Sequence, residues 1–153
     1  MATRFRLYST DVAATLTPSS LGTPPATLIV WDHDPIENGI AEKEPDGRGA
    51  VIETGALGTV FHDLGVPDAG GTLTIAGNAT DGEWLTPATV SAFRAAYRTV
   101  NAEWYLTDGI RCWKVRWRRK PAGLQVWMNQ FWAEHGKVEY SYEFTFLIVE
   151  QAI

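Results

Sequence analysis

Cysteine is almost absent from this chain of 153 residues, which contains only Cys112. A single cysteine excludes an intramolecular disulfide, and it excludes the multi-cysteine spacings that hold zinc fingers or iron–sulfur clusters. Cys112 lies in a predicted strand without the partners of a catalytic thiol, so we expect a buried, unreactive side chain. A chain of this length buries roughly two-thirds of its unfolded surface, and we expect one domain over residues 1–153 without cross-links.

Long apolar runs are missing as well. No stretch approaches the roughly 20 apolar residues that a membrane-spanning helix needs. Residues 1–7 carry charges without an apolar segment after them, which is unlike a secretory signal. We therefore expect synthesis in a cytoplasm and no membrane partner.

The motifs of common catalytic and cofactor sites are also missing. The sequence has no Gly-x-Ser-x-Gly elbow and no P-loop, and the glycines at positions 47 and 49 fall short of a dinucleotide-binding pattern. These absences favour a protein that is not an enzyme, and we assign no catalytic residue and no cofactor.

One short polar run is a candidate metal site. Asp32 and Asp34 share a side of an extended chain while His33 points away, and His62 and Asp63 complete a site only if the two strands are neighbours. Carboxylate and imidazole groups suit a divalent ion. The alternative is a polar strand end, and we therefore assign no metal.

The chain does have the alternation of β-strands, which is clearest near its end. Aromatic and apolar side chains take every second position there, at Tyr140, Tyr142, Phe144, Phe146 and Ile148. The opposite face starts polar and ends apolar, which predicts burial on both faces at the end of the strand.

Two further strands are predicted just before it, at Ile110–Arg119 and Leu124–Ala133. The turn signals Asp108-Gly109 and Ala122-Gly123 indicate three successive antiparallel strands joined by tight turns, the first with a two-residue loop.

The first half of the chain predicts more strands, and one helix follows them. The strands are Thr3–Tyr8, Thr27–Trp31, Ala50–Thr54, Thr59–Leu64 and Thr72–Ala76. Thr86 before Pro87 is typical of a helix start, and apolar residues at helical spacing extend the helix to about residues 102–104. Those residues are Val90, Phe93, Tyr97, Val100 and Trp104. This order predicts a mainly β protein, an antiparallel β-sandwich or small barrel flanked by one α-helix.

Two segments lack strand patterns. Residues 9–27 are rich in Ser, Thr, Ala and Pro, and proline cannot donate to a ladder, so we predict an extended arm that lies on the surface or on a neighbour. Residues 37–49 combine acids with glycine and proline, which predicts an exposed acidic loop.

Basic residues are scarce outside one segment. The net charge is −5, and six of the 13 basic residues are Arg111, Lys114, Arg116, Arg118, Arg119 and Lys120. The rest of the chain has seven basic and 18 acidic residues, a net charge of −11. We predict that the six cations form a subunit interface with an acidic neighbour; a solvated strand face is the alternative.

A nucleic-acid site is a weaker interpretation of the same basic segment. Trp113 and Trp117 alternate with the cations along the strand, so bases and phosphates would have to meet opposite faces. The acidic remainder of the chain also repels a polyanion. We therefore expect no sequence-specific nucleic-acid partner.

Four features together resemble a known family: glycine-punctuated strands over Val51–Ala76, the Thr86-Pro87 helix, the Asp108-Gly109 hairpin and the closing strand Tyr140–Glu150. Residues 49–153 are similar to small tail-tube-like and baseplate proteins of tailed bacteriophages and related contractile systems. The resemblance implies a tail-tube-like β-sandwich with one flanking helix, assembled into hexameric rings around the channel that carries DNA.

The resemblance also implies neighbouring tail or baseplate proteins as partners, location in the virion tail after assembly in the host cytoplasm, and no catalytic residues. A carbohydrate-type ligand-binding β-sandwich is the alternative. The sequence has seven Trp residues, which belong to the core or to contact surfaces, and an exposed Trp127 or Trp132 would stack on sugar rings.

Overall fold

The computed structural model of the protein describes residues 5–9, 28–35, 39–45, 49–54, 58–63, 71–128, 136 and 138–152. The strands in these ranges are β1 (Arg6–Ser9), β2 (Leu28–Val30), β3 (Ile40–Lys43), β4 (Gly49–Thr54), β5 (Gly58–Asp63), β6 (Thr72–Gly77), β7 (Trp104–Thr107), β8 (Cys112–Trp117), β9 (Leu124–Met128) and β10 (Tyr140–Ala152). A 3-10 turn at Ala79–Asp81 and the helix α1 (Pro87–Arg98) lie between β6 and β7.

Eight of these strands form one antiparallel sheet in the order β2-β1-β7-β8-β10-β6-β3, with β9 pairing to β10 outside that path. β4 and β5 form a separate two-stranded sheet. β10 is the central strand, because β6, β8 and β9 all pair with it. The prediction of a mainly β, antiparallel protein flanked by one helix is confirmed within the described residues.

The helix packs against one face of the sheet through aromatic rings. Phe93 of α1 lies 4.6 Å from Trp31 and 4.7 Å from Phe144 between ring centroids. Trp117 of β8 is 5.3 Å from Phe144 and 5.6 Å from Tyr97 of the helix. Because large rings remove much apolar surface from water, this layer stabilises the packing of the helix on the sheet.

The sequence predicts the start of α1 correctly. Thr86 has an extended backbone, and its side chain accepts a hydrogen bond from the Thr89 N–H, as expected of an N-cap. Pro87 takes the first helical position, where its missing N–H costs nothing.

The predicted end of the helix is too late. α1 ends at Arg98, and Trp104 belongs to β7. Thr99 caps the helix, since its hydroxyl donates to the Ala95 carbonyl at 2.9 Å. Val100, which the spacing placed on the apolar stripe, is 79% exposed. The periodicity therefore continues past the residue at which backbone hydrogen bonds stop the helix.

β8 and β9 do not form successive arms of a hairpin, contrary to the prediction of three strands joined by tight turns. Both pair with the same edge of β10, β8 along residues 146–152 and β9 along residues 140–144. Residues 118–123 leave that edge and return to it. A Cβ on Gly123 would lie 2.3 Å from the Thr145 carbonyl oxygen, so this glycine marks a close backbone approach and not a hairpin turn.

The apolar residues at the end of β10 predict burial on both faces, and this prediction is wrong. Leu147 is 36% exposed and Val149 is 40% exposed. A register shift between residues 148 and 150 marks a β-bulge there, which re-aims the side chains. The residues of β10 that are buried on the face away from α1 are polar, Ser141 and Thr145. Ser141 remains satisfied because its hydroxyl accepts the first N–H of the 3-10 turn at 2.9 Å.

The loop between β7 and β8 is longer than the predicted two residues. The last pair of these strands is Thr107 with Cys112, which leaves a loop of residues 108–111. The Asp108 carboxylate accepts hydrogen bonds from the N–H groups of Ile110 at 2.9 Å and Arg111 at 2.7 Å. Arg111 is therefore a loop residue and not part of β8.

The two segments without strand patterns are described only in part. Of the predicted arm over residues 9–27, the structure describes only Ser9, the last residue of β1. The predicted acidic loop over residues 37–49 contains the edge strand β3, so it is not loop throughout. Side chains 41–44 are exposed, as the composition predicts.

Candidate interaction site

The loop of residues 118–123 is closed at its base by three backbone hydrogen bonds. The Arg118 N–H donates to the Thr145 carbonyl at 3.1 Å, and the Thr145 N–H donates to the Gly123 carbonyl at 2.7 Å. The Gly123 N–H donates to the Arg118 carbonyl at 2.7 Å. Both ends of the loop are thus bound to one residue of β10.

An open pocket of about 410 Å³ borders this loop. The exposed Leu147 supplies apolar surface to it. The residues that line it are Asn101, Ala102, Arg116, Trp117, Arg118, Arg119, Lys120 and Leu147. Four of these eight side chains are cations, which favours an anionic occupant with some apolar surface.

The six predicted interface residues have different environments in the structure. Arg111 is bound within the chain: its Nη2 lies 3.0 Å from Asp108 Oδ2 and its Nη1 lies 3.7 Å from Glu42 Oε1. Its guanidinium carbon is also 4.8 Å from the ring centroid of Trp113. Arg111 does not line the pocket.

Lys114 and Arg116 share one acid. Glu103 Oε2 lies 3.1 Å from Lys114 Nζ, and Glu103 Oε1 lies 2.6 Å from an Nη atom of Arg116. The hydrogen bond from Arg116, followed by that from Lys114, lowers the pKa of Glu103. The hydrogen bond to Glu103 raises the pKa of Lys114. Both cations are therefore partly neutralised inside the chain.

Arg119 closes the end of the helix. Its guanidinium donates to the Tyr97 carbonyl and, at 2.8 Å, to the Thr99 carbonyl. The guanidinium carbon also lies 4.8 Å from the centroid of the Tyr97 ring. These carbonyls have no partner in the helix itself, so Arg119 satisfies them and complements the negative end of the helix dipole.

Arg118 and Lys120 differ from the other four. The Nε of Arg118 donates to the Pro121 carbonyl at 3.1 Å. Within the described ranges neither Arg118 nor Lys120 contacts an acid. Both residues line the pocket.

The sequence did not predict that Glu103 pairs with two of the cations, nor that Leu147 is exposed beside the pocket. Glu103 lies one step beyond the β7–β8 ladder, opposite Arg116 when the register Trp104↔Val115 is extended. The true length of the connecting loop would have revealed this pairing. No sequence signal indicated that Leu147 would be exposed, since it reads as a core residue.

The tryptophans of the basic segment are buried. Trp113 is 0% exposed and Trp117 is 3% exposed, so neither is able to stack on a nucleic-acid base. Trp31 and Trp104 are buried too, whereas Trp127 is 43% exposed. Most of the described tryptophans thus belong to the core.

The residues of the metal candidate each make a structural contact. Asp32 Oδ2 accepts hydrogen bonds from the N-cap residue of α1, from its N–H at 2.9 Å and its hydroxyl at 3.2 Å. Asp34 accepts the Phe5 N–H at 3.1 Å, and the His33 ring lies 4.2 Å from that of Trp84.

The second half of the metal candidate is not next to the first in the sheet. β5, which carries residues 62 and 63, pairs with β4 and not with β2. In the part of the chain that the structure covers, no three potential ligands are placed to hold a metal ion.

Cys112 is buried, as the sequence predicts. Its side chain is 0% exposed and contacts Tyr8 in a small cluster on the face away from α1. Burial, with a smaller contribution from the Asp108 charge, raises the pKa of the Cys112 thiol to about 11. It is a neutral thiol at physiological pH.

Comparison with protein-family models, curated proteins and solved structures gives no match to this chain. No helix in the part of the chain that the structure describes is long and apolar enough to span a membrane.

Proposed function

We propose that this protein is a virion structural protein, a tail-tube or baseplate component that assembles into rings around the DNA channel. The observation that carries the proposal is the cationic pocket beside residues 118–123 on a chain whose remainder is strongly acidic. A closed ring needs a head-to-tail interface between two unlike surfaces. A cationic pocket and an acidic body provide two such surfaces.

The edges of the sheet support the same proposal. β2 and β3 end the strand order of the large sheet, and side chains 41–43 of β3 are exposed. Edge strands are templates for pairing with another chain, and ring contacts would cover them. In this role the protein needs copies of itself and neighbouring tail proteins, no cofactor and no catalytic side chain.

The test is the mass of the purified protein by light scattering, with negative-stain images of the same fraction. We expect six-fold rings or stacked tubes. Because the proposed contact joins opposite charges, the assembled fraction should fall as salt rises from about 0.05 to 0.5 M. A monomer at every salt and protein concentration, also when neighbouring tail proteins are added, would contradict the proposal.

A carbohydrate-binding module is the second candidate, and Trp127 favours it. Its ring is 43% exposed on β9, across from Ser141 and beside the exposed side chains Gln125 and Glu143. An exposed indole flanked by hydrogen-bonding groups is suited to stack on a sugar face. A glycan that shifts the tryptophan fluorescence of the wild type, but not of Trp127→Ala, would favour this function over ring assembly.

A further inference from the structure

Four of the six cations in the basic segment make ion pairs or hydrogen bonds with other groups of the same chain. Arg111 pairs with Asp108, and Arg119 caps the helix. Lys114 and Arg116 share Glu103. Binding a partner through any of these four would first break an existing contact, which reduces the net gain.

Arg118 is oriented for a partner. Its backbone N–H is fixed to Thr145, and its Nε is held by the Pro121 carbonyl at 3.1 Å. The first contact fixes the main chain and the second restricts the guanidinium, whose two Nη groups have no partner among the described residues. A guanidinium held in this way is preorganised to donate to both oxygens of a carboxylate.

The rest of the pocket complements such a carboxylate. Lys120 adds a second cation without an acid beside it in the described ranges, and the half-exposed Leu147 supplies apolar surface. The pocket is open, so it admits a protein segment and not only a small ion. This combination is suited to an acidic side chain together with an apolar neighbour in sequence.

We propose that Arg118 and Lys120, and not the whole basic segment, receive a carboxylate from an acidic segment of a second copy of this chain. The occupant follows from charge complementarity, because the chain outside the basic segment has a net charge of −11. This inference rests on the proposed function, since it names the contact through which copies meet.

The experiment is carbodiimide coupling of the full-length protein, which joins an amine to a carboxylate only where the two groups touch. Equal amounts of ¹⁵N-labelled and unlabelled protein are mixed, coupled and analysed by mass spectrometry. We expect Lys120 joined to an Asp or Glu in peptides that combine the two isotopes. Lys120→Arg keeps the charge and should abolish this cross-link while the protein still assembles.

A paired measurement compares two variants that lose the same charge. Arg118→Gln with Lys120→Gln should raise the protein concentration needed for half-assembly about tenfold, because two charge-assisted contacts are removed. Arg94→Gln with Arg98→Gln removes two exposed helix cations outside the pocket and should leave that concentration unchanged.

The outcomes separate the two proposals. Rings without an intermolecular Lys120 cross-link, or equal effects of the two double variants, overturn the pocket assignment and leave ring assembly standing. An intermolecular Lys120 cross-link in dimers that never form rings supports the pocket and counts against the ring. A protein with neither cross-link nor assembly overturns both.

Discussion

Replacing Gly123 by alanine tests whether the loop beside the pocket is fixed in the way its geometry implies. The new Cβ would lie 2.3 Å from the Thr145 carbonyl oxygen and 2.7 Å from the Arg118 carbonyl oxygen. Both are backbone atoms, so the collision is not relieved by rotating a side chain. The loop must move away from β10 by roughly 1 Å to restore ordinary contact distances near 3.5 Å.

The cost follows from the hydrogen bonds that this movement breaks. Gly123 donates one hydrogen bond of 2.7 Å to Arg118 and accepts another of 2.7 Å from Thr145. The bond that Gly123 donates to Arg118 contributes about 1 kcal/mol net, and leaving the buried Thr145 N–H without its acceptor costs about 1–3 kcal/mol. We expect the free energy of unfolding to fall by about 2–4 kcal/mol and the Tm by about 6–12 °C.

The assay is urea unfolding followed by tryptophan fluorescence, with Gly39→Ala as the control. Gly39 has a φ of 57° and nothing within 4 Å of its Cβ position, so alanine there costs only the backbone strain of about 1 kcal/mol. A loss at Gly123 no greater than at Gly39 would refute the reasoning, because it would show that the loop shifts freely.

Three further predictions concern single side chains. Asp32→Ala should lower the free energy of unfolding by about 1–2 kcal/mol, because two hydrogen bonds to the helix N-cap are lost; a chelator that destabilised the wild type would instead indicate a metal. Burial alone would raise the pKa of Asp108, but the N–H groups of Arg111 and Ile110 and the Arg111 side chain outweigh it and lower this pKa. The stability that Asp108 contributes is therefore present above about pH 4, and is lost as the pH falls through the lowered pKa. The difference in unfolding free energy between wild type and Asp108→Asn should shrink over that range, and a difference independent of pH would contradict this. Cys112, a buried thiol whose pKa is raised to about 11, should resist a thiol reagent at pH 8 in the native protein and react quickly in urea; rapid native labelling would contradict its burial.

The sequence correctly predicted the features that depend only on neighbouring residues in the chain. The alternation along β10 identified both the strand and the buried aromatic face, because period two follows from strand geometry alone. Thr86 with Pro87 placed the helix start, since an N-cap acts on its own first turn.

Features that depend on contacts between residues far apart in the sequence were not predictable in the same way. The helix stops where Arg119, about 20 residues later in the chain, satisfies its last carbonyls. Gly123 looks like a turn glycine in sequence, but its position is determined by the backbone of Thr145. Glu103 pairs with Lys114 and Arg116 because the loop of residues 108–111 is longer than the two residues predicted, which sets the register of β7 against β8.

These distant contacts also change how the charge of the chain is distributed. In sequence, the basic segment has no acid within it, which predicts one continuous interface. In space, Glu103 lies within about 3 Å of two of its cations, and Asp108 lies 3.0 Å from a third. The Arg111–Asp108 pair therefore appears nearly neutral beyond a Debye length of about 8 Å at physiological salt, and Glu103 offsets one of the two charges of Lys114 and Arg116.

The field of the segment is therefore strongest at its C-terminal end, where Arg118 and Lys120 lie beside Arg119 on the loop fixed to β10. A partner's acid approaching from solvent is attracted to that end and not to the middle of the strand. If the proposed rings form, the six cations predicted as one interface divide into residues that hold this subunit together and two that bind the next.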